Sequence, residues 1–205
     1  ACSFVKENDA WDHEIVASKC YNYDEEWRSR LKHAHENLEL IPDLSRDFGV
    51  LSAGFILDFI NSQNLNVKAI DLIASHGQTV LHQPENRRTL QVGDGKAIAD
   101  ICKIPVVYDF RTADVQMGGQ GAPLVPIGDQ LLFSEFDQCL NLGGFSNVSY
   151  NYHDNRIAFD ICPVNFVINH LASQLGQAYD KDGNIAKSGR LNKDLFFALE
   201  SLEYY

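Results

Sequence analysis

The residues able to do chemistry fall in four short runs. The densest is 108–126, YDFRTADVQMGGQGAPLVP, which sets two carboxylates (Asp109, Asp114) around a guanidinium (Arg111) and continues into Gly118-Gly119-Gln120-Gly121-Ala122-Pro123. Glycines at that density let the backbone take positive φ and come close to a ligand. Ser75-His76-Gly77-Gln78-Thr79 places four hydrogen-bonding side chains around one glycine. Such a set suits a polyhydroxylated ligand, since each member can donate or accept. Asn141-Leu142-Gly143-Gly144-Phe145-Ser146-Asn147 holds a glycine pair between two strand-like segments. Exposed N–H groups in such a turn can bind phosphate oxygens. Asp160 stands just ahead of Pro163 and Asn165, and a carboxylate there can take a proton or bind Mg2+ through water.

Each run also has a plainer structural reading. The 108–126 segment fits a surface loop closed by an Asp109–Arg111 contact, the 75–79 run a loop with a solvated histidine, and Gly143-Gly144 an ordinary hairpin turn. Asp160 fits a helix N-cap, worth about 1 kcal/mol, and residue type alone favours that role. A Ser–His hydrolase is a poor fit, because sequence neighbours on an extended segment point to opposite faces and no GxSxG elbow is present. The glycine pair is neither a Walker A loop nor GxGxxG. Tyr179-Asp180-Lys181-Asp182-Gly183 does not keep EF-hand spacing and reads as a turn that caps the segment after it.

The elements that must position these residues follow from periodicity. Residues 1–5 and 13–23 read as a pair of strands joined at Glu7-Asn8-Asp9. An exposed helix is expected over 25–37. A longer one starts at Pro42-Asp43 and ends near 61–64, with Leu44, Phe48, Leu51, Phe55 and Phe59 on one face as core. Strands at 70–74, 89–92 and 104–108, a helix from Gly93-Asp94-Gly95 through Cys102, and a short helix over 123–133 give the alternation of βαβ units. Beyond Glu135 the pattern changes to three strands, 138–142, 146–150 and 156–160, followed by a helix over 164–175 and another over 192–202. A boundary is expected within 127–137, giving domains 1–127 and 128–205.

Composition narrows the class. The 205 residues are 45% hydrophobic and 11% aromatic, enough for a real core. A net charge of −11 argues against nucleic acid or an anionic membrane as partner. Five scattered cysteines without a CxxC pair argue against zinc and against a disulfide framework, leaving reduced thiols. No run is long enough to span a membrane.

Taken together, these segments resemble the anhydro-N-acetylmuramic acid kinase family. The resemblance is carried by Ser75-His76-Gly77-Gln78-Thr79, Leu90-Gln91-Val92-Gly93-Asp94, Asp109-Phe110-Arg111 with Asp114, and Gly118-Gly119-Gln120-Gly121-Ala122-Pro123-Leu124-Val125-Pro126. It continues through Asn141-Leu142-Gly143-Gly144 with Asn147-Val148, Phe159-Asp160, and Tyr179-Asp180 with Gly183, Ala186 and Gly189. It implies an α/β, actin-like (ribonuclease H-like) sugar-kinase fold with two domains flanking a cleft, both incomplete in this chain. It implies ATP and Mg2+ as cofactors, a small amino sugar as partner, a cytoplasmic location and room for a homodimer. The implied reaction hydrolyses the 1,6-anhydro bond and phosphorylates O6, giving N-acetylmuramate 6-phosphate in peptidoglycan recycling. Asp160 matches the family's catalytic base. Ser75, His76, Gln78, Asp109, Arg111, Gln120, Gly121, Ala122, Pro123 and Asn165 match the sugar side, and Gly143, Gly144 and Asn147 the nucleotide side. No protein metal ligand is implied.

Two departures accompany the resemblance. The family follows its aspartate with Gly-Pro-Gly-Asn, where this chain has Cys162-Pro163-Val164-Asn165. The family's Gly-Thr-Ser-x-Asp-Gly phosphate loop, Pro-Lys-Ser segment and adenosine site have no counterpart here, so the chain is expected to be an inactive fragment of the enzyme. The alternatives are a non-catalytic sugar-binding or regulatory relative, and a kinase for another sugar.

Overall fold

The computed structural model describes residues 1–8, 10–153 and 155–203 of a mixed α/β chain that packs as two compact units, Ala1–Ser134 and Glu135–Tyr205. The first unit opens with an antiparallel hairpin of β1 (Cys2–Glu7) and β2 (Ala10–Ile15), with Cys2 opposite Ile15 and Glu7 opposite Ala10. This corrects the expected strand 13–23. Pairing resumes at Ala10 and the ladder closes at Ile15, after which Val16 N and Ala17 N donate to the Ala1 carbonyl at 3.0 and 3.4 Å and Ala1 N donates to the Ala17 carbonyl at 2.6 Å. Of the expected turn, Asp9 lies outside the described residues. Residues 18–23 form a strap held by side chains instead. Lys19 Nζ and the Tyr21 hydroxyl both reach Asp58, at 2.6 and 2.5 Å, and the Tyr21 ring stacks on Phe55 at 4.7 Å.

Helix α1 (Glu25–Lys32) starts at Asp24, whose side chain accepts from Trp27 N at 2.8 Å, and carries acids in its first turn and bases in its last, as the helix dipole favours. It is shorter than the expected 25–37, because the chain tightens at His33 into two 3-10 turns that bury Ala34. Helix α2 (Ile41–Ser62) has Pro42 in its first turn, where the missing N–H costs nothing. Its amino-terminal half buries Ile41, Leu44 and Phe48 against Val92. Its carboxy-terminal half buries Ala53 and Ile60 against Ile98, Cys102 and Ile104. One helix thus backs two core clusters, while Phe55 and Phe59, placed on the stripe by spacing, stay half-buried.

Across these clusters runs a parallel pair, β3 (Ile73–Ser75) and β6 (Val106–Tyr108), with Ser75 opposite Tyr108. The crossover between them contains an antiparallel hairpin, β4 (Gln78–Gln83) with β5 (Arg88–Val92), and helix α3 (Gly95–Cys102), capped by Asp94. Strand β4 was not expected, since its alternation is weak and its pairing comes only from β5. Burial pushes the Cys102 thiol up from its ordinary value, so folding favours the neutral thiol. That contribution is complete below the ordinary thiol value and is lost as pH rises from there through the raised value of the folded state. Helices α4 (Thr112–Gln116) and α5 (Leu124–Leu132) complete this unit.

The second unit is an antiparallel meander of β7 (Gln138–Leu142), β8 (Phe145–Tyr152) and β9 (Asn155–Pro163), followed by helices α6 (Asn165–Gln174), α7 (Asn184–Ser188) and α8 (Lys193–Glu200). A bulge between Ser146 and Asn147 is pinned by the buried Ser146 hydroxyl, which donates to the Cys162 carbonyl at 3.1 Å and accepts from Cys162 N at 3.3 Å. The capping turn read at Tyr179-Asp180 is present. Both Asp180 carboxylate oxygens accept backbone N–H groups, from Ile185 at 2.7 Å and Ala186 at 3.0 Å. All five cysteines are free thiols. Among the described residues no helix is long and apolar enough to cross a membrane.

Candidate functional site

In the first unit, the carboxyl ends of β3 and β6 open onto a pocket of about 280 Å³ lined by Ser75, His76, Gln91, Asp94, Asp109 and Thr112, among others. Parallel pairing brings Ser75 beside Tyr108, and so brings two distant polar runs together at one sheet edge, the usual place for a ligand in an open α/β sheet. Gly77 sets the turn that follows. It sits at φ +68°, and a Cβ there would lie 2.4 Å from the Val92 carbonyl oxygen. The histidine beside it has a defined tautomer. His76 Nδ1 donates to the Gly77 carbonyl at 3.0 Å, and its Nε2 accepts from Arg111 Nε at 2.9 Å. Arginine has no lone pair to offer, so this pair requires a neutral imidazole. Asp109 stands at φ +59° and accepts from the Thr112 hydroxyl at 2.5 Å.

Gln91 was missed as a site residue. In β5 its neighbour Val92 is fully buried and Leu90 packs on the core, so Gln91 turns to the other face. Its Nε2 donates to Thr89 Oγ1 at 2.8 Å, while Oε1 is buried and has no partner among the described residues. A buried acceptor left unmade costs about 1–3 kcal/mol, and the residue that carries it lines the pocket. The signal in the sequence was a lone amide between two strand apolars.

The glycine-rich run is gripped rather than loose. Asp114 Oδ2 accepts from Gly121 N at 2.6 Å, and Gly119 N donates to the Asp114 carbonyl at 2.8 Å. Gly121 is buried at φ +71°, where a Cβ would meet Val115 Cγ2 at 2.6 Å. Asp114→Ala is expected to lower stability by about 1–2 kcal/mol, the scale of a hydrogen bond to a half-buried charge. Urea unfolding reads the loss, and limited proteolysis reads new cleavage between Met117 and Gly121. Unchanged stability with an uncut loop would remove this role.

In the second unit, Gly143, Gly144 and Asn165 line a separate concavity of about 610 Å³ with Phe166, Asn169 and Tyr179. The Gly143 and Gly144 carbonyls are taken by the start of α6, Val164 N reaching Gly144 O at 2.8 Å and Asn165 N reaching Gly143 O at 3.2 Å. The N–H groups of the two glycines donate to no protein acceptor among the described residues. Neither has positive φ, and a Cβ on Gly144 would meet nothing within 4 Å. Packing in this unit therefore does not demand glycine there, and the bare turn fits a phosphate group. The Asn165 side chain donates to the Leu142 carbonyl at 3.1 Å, tying α6 to the end of β7.

Asp160 is not a helix cap. It lies within β9, paired with Asn147 across the β8–β9 ladder, and α6 begins past Val164 with no side-chain cap. The pairing carries β9, expected to end at Asp160, on to Pro163, and so sets the start of α6 too far along the chain for Asp160 to cap it. Its carboxylate is exposed and has no hydrogen bond or ion pair among the described residues. Of the residues read from sequence, Ser75, His76 and Asp109 converge on the first pocket, with Arg111 attached through His76. Gln78, Gln120 and Ala122 are exposed, Gly121 is buried and Pro123 half-buried, and none lines that pocket. Among the described residues, no group of three or more His, Cys, Asp or Glu could hold a metal ion.

The family model for anhydro-N-acetylmuramic acid kinase matches residues 7–205. A curated relative of that name from Paramagnetospirillum magneticum is 38% identical over 170 residues, covering 80% of this chain and 48% of the relative. Another, from Bacillus thuringiensis subsp. konkukian, is 37% identical over 192 residues, covering 87% of this chain and 50% of the relative. A third, from Zymomonas mobilis, is 42% identical over 156 residues, covering 73% and 43% respectively. The chain spans about half the length of these relatives. With a family match over nearly its whole length, the chain belongs to the anhydro-N-acetylmuramic acid kinase family.

Proposed function

We propose that the full-length protein is an ATP-dependent kinase that opens the 1,6-anhydro ring of anhydro-N-acetylmuramic acid and phosphorylates O6, giving N-acetylmuramate 6-phosphate for peptidoglycan recycling. The observation that carries this reading is the first pocket, where Ser75, His76, Gln91 and Asp109 line one cavity with groups that donate and accept hydrogen bonds. The hydroxyls of a sugar pair with such groups. The neutral His76 holds Arg111 in place beside it, and Gln78, Gln120, Gly121, Ala122 and Pro123 are assigned to the same sugar side. Asp160 takes a proton from the water that attacks the anomeric carbon. As that C–O bond forms, the bond to O6 breaks and O6 receives the phosphoryl group. ATP, when bound, supplies that group, and the free N–H groups of Gly143 and Gly144 are the residues suited to its phosphates, with Asn147 nearby in β8. Mg2+ would enter with the nucleotide, since the described residues gather no ligand set for it. Phosphoryl transfer asks mainly for positioning and charge stabilisation.

The proposal includes the actin-like, two-domain sugar-kinase fold, with the units Ala1–Ser134 and Glu135–Tyr205 as parts of its two domains. It places the protein in the cytoplasm, with small-molecule partners and no nucleic acid or membrane, and a homodimer as the assembly to look for. Incubating full-length protein with ATP and the anhydro sugar should yield sugar-dependent ADP and the 6-phosphate by mass spectrometry. Sugar binding by calorimetry without any phosphorylated product would favour a non-catalytic sugar-binding relative instead.

A further inference from the structure

Arg87 and Arg88 sit together where the β4–β5 turn enters β5, with Arg87 at φ +53°. Both are exposed, and among the described residues neither side chain forms an ion pair or hydrogen bond. That stands out in a chain of net charge −11. Elsewhere Arg30 reaches Asp47 at 2.6 Å and Arg46 reaches Asp43 at 3.7 Å. The acid in the same turn, Glu85, is met by the Asn86 amide at 3.4 Å, not by an arginine. Arg87 and Arg88 line a concavity of about 260 Å³ with Gln116, and no Asp or Glu lines it. Thr89, Leu90 and Thr112 line both this concavity and the 280 Å³ pocket, so the two share a wall. The Thr112 hydroxyl spends its proton on Asp109, which leaves the arginines and the Gln116 amide as donors on the far side.

We propose that the Arg87–Arg88 concavity is an oxyanion subsite, continuous with the polar pocket, that takes a carboxylate carried on a substituent of the ligand held there. Planar guanidinium forks match carboxylate geometry, and a surface free of competing acids leaves them available. The inference rests on the sugar-kinase reading for what fills the pocket. Two sources share this chemistry: the acid group of the sugar itself, and the carboxylates of a peptide joined to it.

The test uses full-length protein and calorimetry at low salt, with the double variant Arg87→Gln/Arg88→Gln against wild type. The ligands are anhydro-N-acetylmuramic acid, its neutral amide, and a peptidyl conjugate ending in carboxylates. Wild type should bind an acid form about 3- to 10-fold more tightly than the amide, the scale of exposed charge-assisted pairs. The double variant should bind all forms alike, with affinity for the amide unchanged, which also reports an intact pocket. A preference for the plain acid assigns the site to the sugar's own carboxyl group, and a preference for the conjugate alone assigns it to the peptide. A double variant that keeps the wild-type preference, or a wild type that shows none, overturns the subsite. If wild type binds no form of the sugar, the functional reading fails and the ligand assigned here goes with it.

Discussion

Changing Asp160 to asparagine in the full-length protein is expected to lower sugar-dependent ADP release by about 10²- to 10⁴-fold, the range of a lost general base. The fold should be indifferent to the change. Asp160 is exposed on β9 and its carboxylate holds no partner among the described residues. Asparagine keeps the shape of the side chain and leaves the backbone pairing with Asn147 untouched. The unfolding midpoint and sugar affinity should therefore stay near wild type while turnover falls. This separation matters because a structural aspartate would move stability first. Near-normal turnover in the variant would take Asp160 out of the base role.

Gly77→Ala should strongly destabilise the first unit, because backbone strain and a backbone clash act there together. The residue sits at φ +68°, where an L side chain costs about 1–2 kcal/mol. The added Cβ also meets the Val92 carbonyl oxygen at 2.4 Å, a backbone atom that cannot swing aside. Val92 is fully buried against α2, so its movement disturbs the core as well. A total loss of about 2–4 kcal/mol is expected, in the range reserved for strain at a special backbone position. Urea unfolding of the full-length protein reads it. Gly144→Ala is the matched comparison, because the new methyl meets nothing within 4 Å. It should change stability by less than about 0.5 kcal/mol while weakening nucleotide binding. Equal stability of the two variants would contradict the tight turn at Gly77.

The two glycine sites show where sequence reading is strong and where it stops. Both runs were singled out by composition, yet only coordinates separate a glycine required by packing from one that is not. The same holds for the carboxylates of the 108–126 run. Asp109 and Asp114 look equivalent in sequence, but Asp109 lines the pocket and Asp114 is spent on Gly121 N. Asp160 was legible as a residue of interest at the end of a strand, but the N-cap role that its residue type favours is not the one it has, because the ladder carries β9 on to Pro163.

The sequence by itself determined helices α2, α3, α5, α6 and α8, the three-strand meander and the motif set that identifies the family. Those features rest on interactions within a few residues, such as apolar spacing, capping side chains and turn glycines, and such short-range preferences are written directly in residue order. Tertiary structure alone decided the extent of β2, the existence of β4, the continuation of β9 past Asp160 and the place of Gln91 on the pocket wall. Each of these depends on a partner distant in the chain: Ile15 needs Cys2, β4 needs β5, Asp160 needs Asn147. Strand pairing and burial are properties of two segments at once, and neither segment carries them alone.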